Sequence, residues 1–233
     1  MNSPTDPSHI TTTLRALGLD PAVPLNPVLP AVRGIEDMLD QTLAIGRAAG
    51  VEDTARRLVV EMRNRLFAAA ECVNPYADGP SVVVLSSLNP VTIGGLWIPQ
   101  MVERAGGRYP WIPTVAREGT GEAVGPQHGE RLAGISREMK PAEFVEEPPE
   151  AIVFALEAMS LEDAAVRATE LLASARFAST PAVRAGRVAV VDASRAFAVA
   201  GPELVDGFEW LVGWLQDRPQ LMPQSLPWRA LGS

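Results

Sequence analysis

The sequence predicts an α/β fold: a small, mostly parallel sheet flanked by helices, preceded by a long helical joining segment. Three patterns carry that expectation. Apolar, β-branched runs at 82–85, 151–156 and 188–191 lack the polar alternation of a half-exposed strand, as strands buried on both faces do. After the last two runs, apolar residues recur at helical steps. Leu161, Ala164, Ala165, Ala168, Leu171 and Leu172 form one stripe, and Leu204, Val205, Phe208, Leu211, Val212 and Leu215 the next. Ahead of all three runs lie two more stripes, Ile35, Met38, Leu39 and Leu43, then Val51, Ala55, Leu58, Met62 and Leu66, parted by Gly50.

In chain order, residues 1–8 are rich in Ser, Pro and Asp and read as a disordered leader. Asp6 or Ser8 can cap a short helix that runs to Leu17 and stops at Gly18. Pro21, Pro24, Pro27 and Pro30 recur every third residue, which lines them along one edge of a polyproline II turn. Such a ridge serves as an extended connector, or alternatively docks a partner. Residues 34–73 are the joining helices. Glu52 and Asp53 open the second of them and Arg63 and Arg65 come later, the order the helix dipole favours.

Residues 74–216 form the α/β lobe. Its first strand ends in the polar loop Ser86, Ser87, Leu88, Asn89, Pro90, and a helix from Trp97 to Arg104 follows Gly94 and Gly95. Residues 108–150 are long and interrupted by prolines; a helix near 129–139 is the one element expected there. Trp111, between Pro110 and Pro113, is a contact candidate or a surface-packed aromatic, and the acidic run from Glu143 to Glu150 reads as a solvated connector. Ser160 caps the next helix with Asp163 at the capping-box position. The loop before it, Glu157, Ala158 and Met159, leaves a strand at its C-terminal end, where ligands sit in open α/β sheets. Gly201 and Pro202 open the last helix, since a first turn has no use for the missing N–H. Trp210 and Trp214 share a face and should flank its stripe. Residues 217–233 read as an extended tail laid on the surface.

Two segments together, PAVRAGRVAVVD at 181–192 and GPELVDGFEWL at 201–211, with Phe197 in the short loop between them, resemble the C-terminal end of the class III solute-binding proteins of ABC importers. The most similar subgroup comprises cobalamin-binding and iron-chelate-binding receptors. The resemblance implies two α/β lobes joined by a long helix, with ligand between them. Only about 33 residues precede the joining segment here, so a truncated fold is expected, with most of the first lobe and the leader missing; one helix and an edge strand near Ala22 to Leu25 would remain. The loop after the first strand resembles the family's acid-Trp-x-Asp-Pro and Gly-His-Trp-x-Pro-Glu. Pro90, Gly95, Trp97 and Pro99 are kept, while Ser86, Ser87, Asn89, Leu96 and Gln100 replace the acid, aromatic, Asp, His and Glu. Val199 stands at the family's Arg position. The resemblance therefore implies ligand contacts at Ser86, Ser87, Asn89, Trp97, Glu157 and Phe197, with cobalamin as the cofactor it suggests.

The formal charge of −8 argues against nucleic-acid or anionic-membrane surfaces, which need clustered Lys and Arg. No apolar stretch reaches the roughly 20 residues of a membrane span. The first 30 residues show no basic region followed by an apolar run, so a cytoplasmic protein without a secretory leader is expected. Cys72 is the single cysteine and reads as a small buried hydrophobe. His9 and His128 fall in polar, loop-like sequence, and two His with one Cys give no metal-ligand spacing, so no metal is expected.

No phosphate loop, nucleophile elbow or paired-carboxylate motif is present, which leaves enzymatic activity open only through a site shared with another chain. Two functions follow. The first is a complex-forming subunit, a homodimer or one of two different chains, possessing a joining face at Met38, Leu39 and Leu43 that a partner covers and completing the small-molecule site of a biosynthetic enzyme. The alternative is a small-ligand binding module related to the importer receptors.

Overall fold

The computed structural model describes residues 8–22, 25, 29, 31–119 and 130–232. Asp6, Pro24, Pro27, Pro30 and His128 lie outside them, so the proline ridge does too, apart from Pro21. Helix α1 (Ser8–Ala16) stops before Gly18, whose φ of 74° is the left-handed conformation a helix end favours. His9 is a helical residue and buried, because α1 lays that face on the protein, which corrects the loop reading. Ala22 is in a turn and Leu25 outside regular structure, so the described residues there form no edge strand.

Helices α2 (Ile35–Ala48) and α3 (Glu52–Ala70) are the joining pair, separated at Gly50 with φ 72°. A Cβ on Gly46 would stand 2.2 Å from Ala55 Cβ, so a missing side chain lets the two helices close on one another. Met38 and Leu39 are 1% and 0% exposed, packed into the main core with the sheet, and Leu43 is half-buried between that core and a smaller one formed by Leu14, Leu17, Ile45 and Ala55. The expectation of an uncovered apolar face centred there is therefore corrected. The chain's own lobe covers Met38 and Leu39, and α1 with Leu25 and Leu29 packs on the other side.

The lobe is built on β1 (Val82–Leu88), β2 (Val91–Ile93), β5 (Arg137–Glu138), β6 (Ala151–Phe154), β7 (Val188–Val191) and β8 (Trp228–Ala230), in the spatial order β5-β2-β1-β6-β7-β8; β3 (Val115–Ala116) and β4 (Arg131–Leu132) form a separate antiparallel pair. The centre, β1, β6 and β7, is parallel, and both margins are antiparallel. All four residues of β6 and of β7 are buried, as the apolar runs predict. Helices α4 (Trp97–Arg104), α5 (Glu143–Glu146), α6 (Leu161–Leu172), α7 (Ala175–Ala178), α8 (Pro181–Arg184) and α9 (Leu204–Leu215) complete the layers. Ser160 Oγ accepts from the Asp163 amide at 3.1 Å, the expected cap of α6.

Four further expectations are corrected. The helix at 129–139 is replaced, over its described residues, by β4 and β5: Arg131 and Leu132 pair with β3, and Arg137 and Glu138 with β2. The tail is not merely laid on the surface, since its Trp228, Arg229 and Ala230 add a sheet strand beside β7. Trp210 is fully buried and only Trp214 flanks, because Phe197, Trp214 and Trp228 all pack on the Trp210 indole at 5.5–6.2 Å between ring centroids. Cys72 is half-buried rather than buried, its thiol turned back on the Ala68 carbonyl. Trp111 is buried edge-on against Tyr109, as a packed aromatic. In the acidic run, Glu143 pairs with Arg137 and Glu150 with Arg108.

Candidate functional site

The topology opens a crevice beside β1. After β1 the chain hairpins outward into β2, whereas after β6 it passes through α6 to β7 on the other side. Loops that leave neighbouring parallel strands in opposite directions leave a gap at their C-terminal ends. The ends are tied at its floor: the Ala155 amide donates to the Leu85 carbonyl at 2.9 Å and the Glu157 amide to that of Ser86 at 3.2 Å.

Two local departures shape the walls. Leu85 pairs with Ile93 but Ser87 with Thr92, so Ser86 is an extra residue, a bulge that bends β1 over the crevice. On the opposite wall, Ala158 has φ 57°, a left-handed conformation costing an L-residue about 1–2 kcal/mol. That reversal turns Glu157 and Met159 to the same hollow.

The resulting cleft has a volume of about 720 Å³ and is lined by Ser86, Ser87, Leu88 and Asn89 from β1 and its turn, Leu156, Glu157 and Met159 from the loop after β6, and Arg167, Glu170 and Leu171 from α6. That size falls within the roughly 300–1,000 Å³ of small-molecule sites. Ser86, Ser87 and Glu157 are half-buried and Asn89 is exposed, so hydroxyl, amide and carboxylate groups ring a wall of Leu88, Leu156, Met159 and Leu171. Arg167 donates to Glu170 at 3.2 Å, one turn along α6.

Of the six residues expected at the site, Ser86, Ser87, Asn89 and Glu157 come together in this cleft. Trp97 and Phe197 do not, and that expectation is corrected. They are 1% and 2% exposed, and the Trp97 indole Nε1 donates to the Phe197 carbonyl at 3.0 Å. The space left where Phe197 approaches Ser86 and Glu157 is about 10 Å³, too small for an organic ligand. Two of the positions that replace the family's polar residues are likewise absorbed into structure. Leu96 is buried, and Gln100 Oε1 accepts from the Ile35 amide at 2.8 Å, closing the first turn of α2. Gly95 is held by packing, because a Cβ there would lie 2.3–2.5 Å from the backbone of Gly134, Ile135 and Ser136.

Arg167, Glu170 and Leu171 were missed as site residues. Leu171 falls on the apolar stripe of α6, and only the spacing of the three, which places them on one side of the helix's last turns, hints that they share a wall. A second hollow, about 420 Å³, lies toward the start of β1 between the loops around 73–79 and 106–114. There burial raises the Glu103 carboxyl above its ordinary range, against the opposing pull of the Thr114 hydroxyl and Arg131. Among the described residues no group of His, Cys, Asp and Glu is arranged to hold a metal ion, and no helix is long and apolar enough to cross a membrane.

No protein-family model matches the chain, and no curated protein does. Solved structures do. A periplasmic binding protein from Veillonella parvula aligns at TM-score 0.61 and 15% identity over 79% of this chain and 57% of its own. A periplasmic heme-binding protein from Pseudomonas aeruginosa aligns at 0.63 and 20% over 88% and 68%. The triscatecholate siderophore-binding protein FeuA from Bacillus subtilis, solved with ferri-bacillibactin, aligns at 0.60 and 12% over 82% and 64%. The chain thus spans between about half and two thirds of the length of these proteins. At these identities the likeness is one of fold: this chain has the fold of these periplasmic binding proteins.

Proposed function

We propose that the chain is a small-ligand binding module that holds its ligand at the C-terminal ends of β1 and β6. The observation that carries this is the convergence of Ser86, Ser87, Asn89 and Glu157 on one cleft of about 720 Å³ with an apolar back wall. Two of the solved structures that share the fold, a heme-binding protein and a triscatecholate siderophore-binding protein, support a small-molecule ligand. The chemistry this reading assigns to the site is retention of the ligand. Calorimetric titration of the chain with hemin, a ferric siderophore and cyanocobalamin tests the reading. Binding near micromolar, about −8 kcal/mol, is expected for at least one of them; absence of heat and of any spectral change for all three would end it.

A second reading, a subunit that pairs with another chain, no longer has Met38 and Leu39 as its apolar centre. What favours it is α3, where Val60 and Phe67 are 57% and 63% exposed seven residues apart on one face. Light scattering on wild type and on Phe67→Glu tests it: a mass above one chain that the variant lowers is the expected result if α3 pairs.

A further inference from the structure

We infer that the second hollow, at the opposite end of β1 from the cleft, is a binding site for a small organic amine whose ammonium group is received by Glu103; the inference is independent of the ligand-binding reading above. β1 has seven residues, which puts roughly 20 Å between the two places. The hollow, about 420 Å³, is held in shape by backbone. A Cβ on Gly79 would stand 1.6 Å from the Gly106 carbonyl oxygen, so the loop before β1 and the loop after α4 meet with no side chain between them. Arg108 ties them again: its amide donates to the Pro80 carbonyl and its carbonyl accepts from the Val82 amide, each at 2.9 Å.

The Glu103 side chain, 20% exposed, lines this hollow, and both contacts of its carboxylate fall on one oxygen. Oε2 accepts from the Thr114 hydroxyl at 2.7 Å and stands 3.8 Å from the Arg131 guanidinium. That guanidinium is engaged by Thr114, donating to its hydroxyl at 2.7 Å and to its carbonyl at 2.8 Å. No donor of the described residues meets Oε1. Burial raises this carboxyl above its ordinary range, the mark of a charge whose lost water is not fully replaced, and an incoming ammonium replaces it. Asp78, exposed on the rim, has no cation against it among the described residues, while the rim's Arg108 is held by Glu147 at 3.4 Å and Glu150 at 3.1 Å. Asp78, Glu103, Glu147 and Glu150 thus outnumber Arg108 and Arg131, and both arginines are already engaged. Pro75, Pro110 and Pro113 line much of the rest with rings that have no N–H to offer, which suits the apolar body of the ligand.

The test is a titration of the full chain, followed by backbone amide NMR, with three probes that share a phenol ring: tyramine, cationic at neutral pH, 4-ethylphenol, neutral, and 4-hydroxyphenylacetate, anionic. Tyramine should shift the Gly106, Gly107 and Thr114 amides saturably, and should bind roughly tenfold or more tighter than either other probe. Glu103→Gln, checked for unchanged circular dichroism, should weaken tyramine by roughly tenfold and leave 4-ethylphenol as it was. Asp78→Asn, at an exposed rim position, should weaken it by roughly twofold to threefold, and with the charge series it decides the matter if Glu103→Gln does not fold. Equal binding of the three probes, tyramine binding that neither variant alters, or no saturable shift at all overturns the inference. Shifts confined to the amides of Ser86, Ser87 and Asn89 overturn it too, by placing the amine in the cleft. Each of these failures leaves the ligand-binding reading of the cleft standing, since that reading falls only with its own titration of hemin, siderophore and cyanocobalamin.

Discussion

The Trp97 indole gives its N–H to the carbonyl oxygen of Phe197, 3.0 Å away and a hundred residues later in the chain. One bond thereby pins the first turn of α4 to the loop after β7, behind the cleft rather than in it. Trp97→Phe keeps most of the buried area and removes the donor. A loss of about 1–3 kcal/mol in urea unfolding is expected, the cost of stranding a buried hydrogen-bonding group. A variant as stable as wild type would mean that the carbonyl is satisfied without the indole.

Arg65 clamps α3 to α9. Its Nε and one terminal nitrogen meet the two carboxylate oxygens of Glu209 at 2.9 and 2.5 Å, and Asp206 accepts at 2.5 Å. The Glu209 hydrogen bond is the main reason the guanidinium holds its proton more firmly than usual, against partial burial. Because Arg65 is about one-third exposed, solvent screens part of the gain. Arg65→Lys, which cannot reproduce the fork, should cost about 1 kcal/mol. Arg65→Ala should cost more, since it leaves two carboxylates one helical turn apart without their cation. Melting temperatures of the two variants, read together, check the order.

The strands, the joining helices and α4 were legible because each is written in local apolar periodicity, and β7 and α4 begin and end where that pattern does. The four polar residues of the cleft were legible for two other reasons: Glu157 follows a buried strand, where open α/β sheets take ligand, while Ser86, Ser87 and Asn89 stand where the resembled family has its contacts. What was hidden depends on contacts across long separations. Met38 and Leu39 form a stripe that looks uncovered until the lobe is folded against it. Trp97 and Phe197 looked like aromatic platforms, and nothing in the sequence shows that each buries the other's polar group. The tail strand β8 has only three residues, of which Trp228 is half-buried and the others exposed, a pattern too short to read.

Burial raises the Glu203 carboxyl above its ordinary value of 4.5, against the weaker pull of the Thr12 hydroxyl and Arg15. One of its oxygens, Oε2, is buried without a hydrogen-bond partner. A carboxyl raised in the folded state stabilises it fully below the unfolded value, and the contribution is lost as pH climbs through the folded value. Glu203→Gln removes that dependence. The variant should therefore gain on wild type as pH rises from the ordinary carboxylate range toward neutrality, in denaturation curves at a series of pH values. A gain that is the same at every pH would assign the effect to packing instead.

Two leucines separate the core from the cleft. Leu211 is fully buried in α9, so Leu211→Ala should cost about 2–5 kcal/mol by emptying a packed site. It lies outside the cleft lining, so ligand affinity measured well below the melting temperature should change little. Leu171 is half-buried on the cleft wall, with open volume in front of it. Leu171→Trp can extend into that volume without overpacking the core, and stability should stay within about 1 kcal/mol of wild type. The indole would occupy space the ligand needs, and affinity for whichever probe binds should fall by roughly tenfold or more, the size of a few lost contacts. If Leu171→Trp binds as wild type does while Leu211→Ala loses affinity, the ligand sits elsewhere, and the hollow near Glu103 becomes the site to probe.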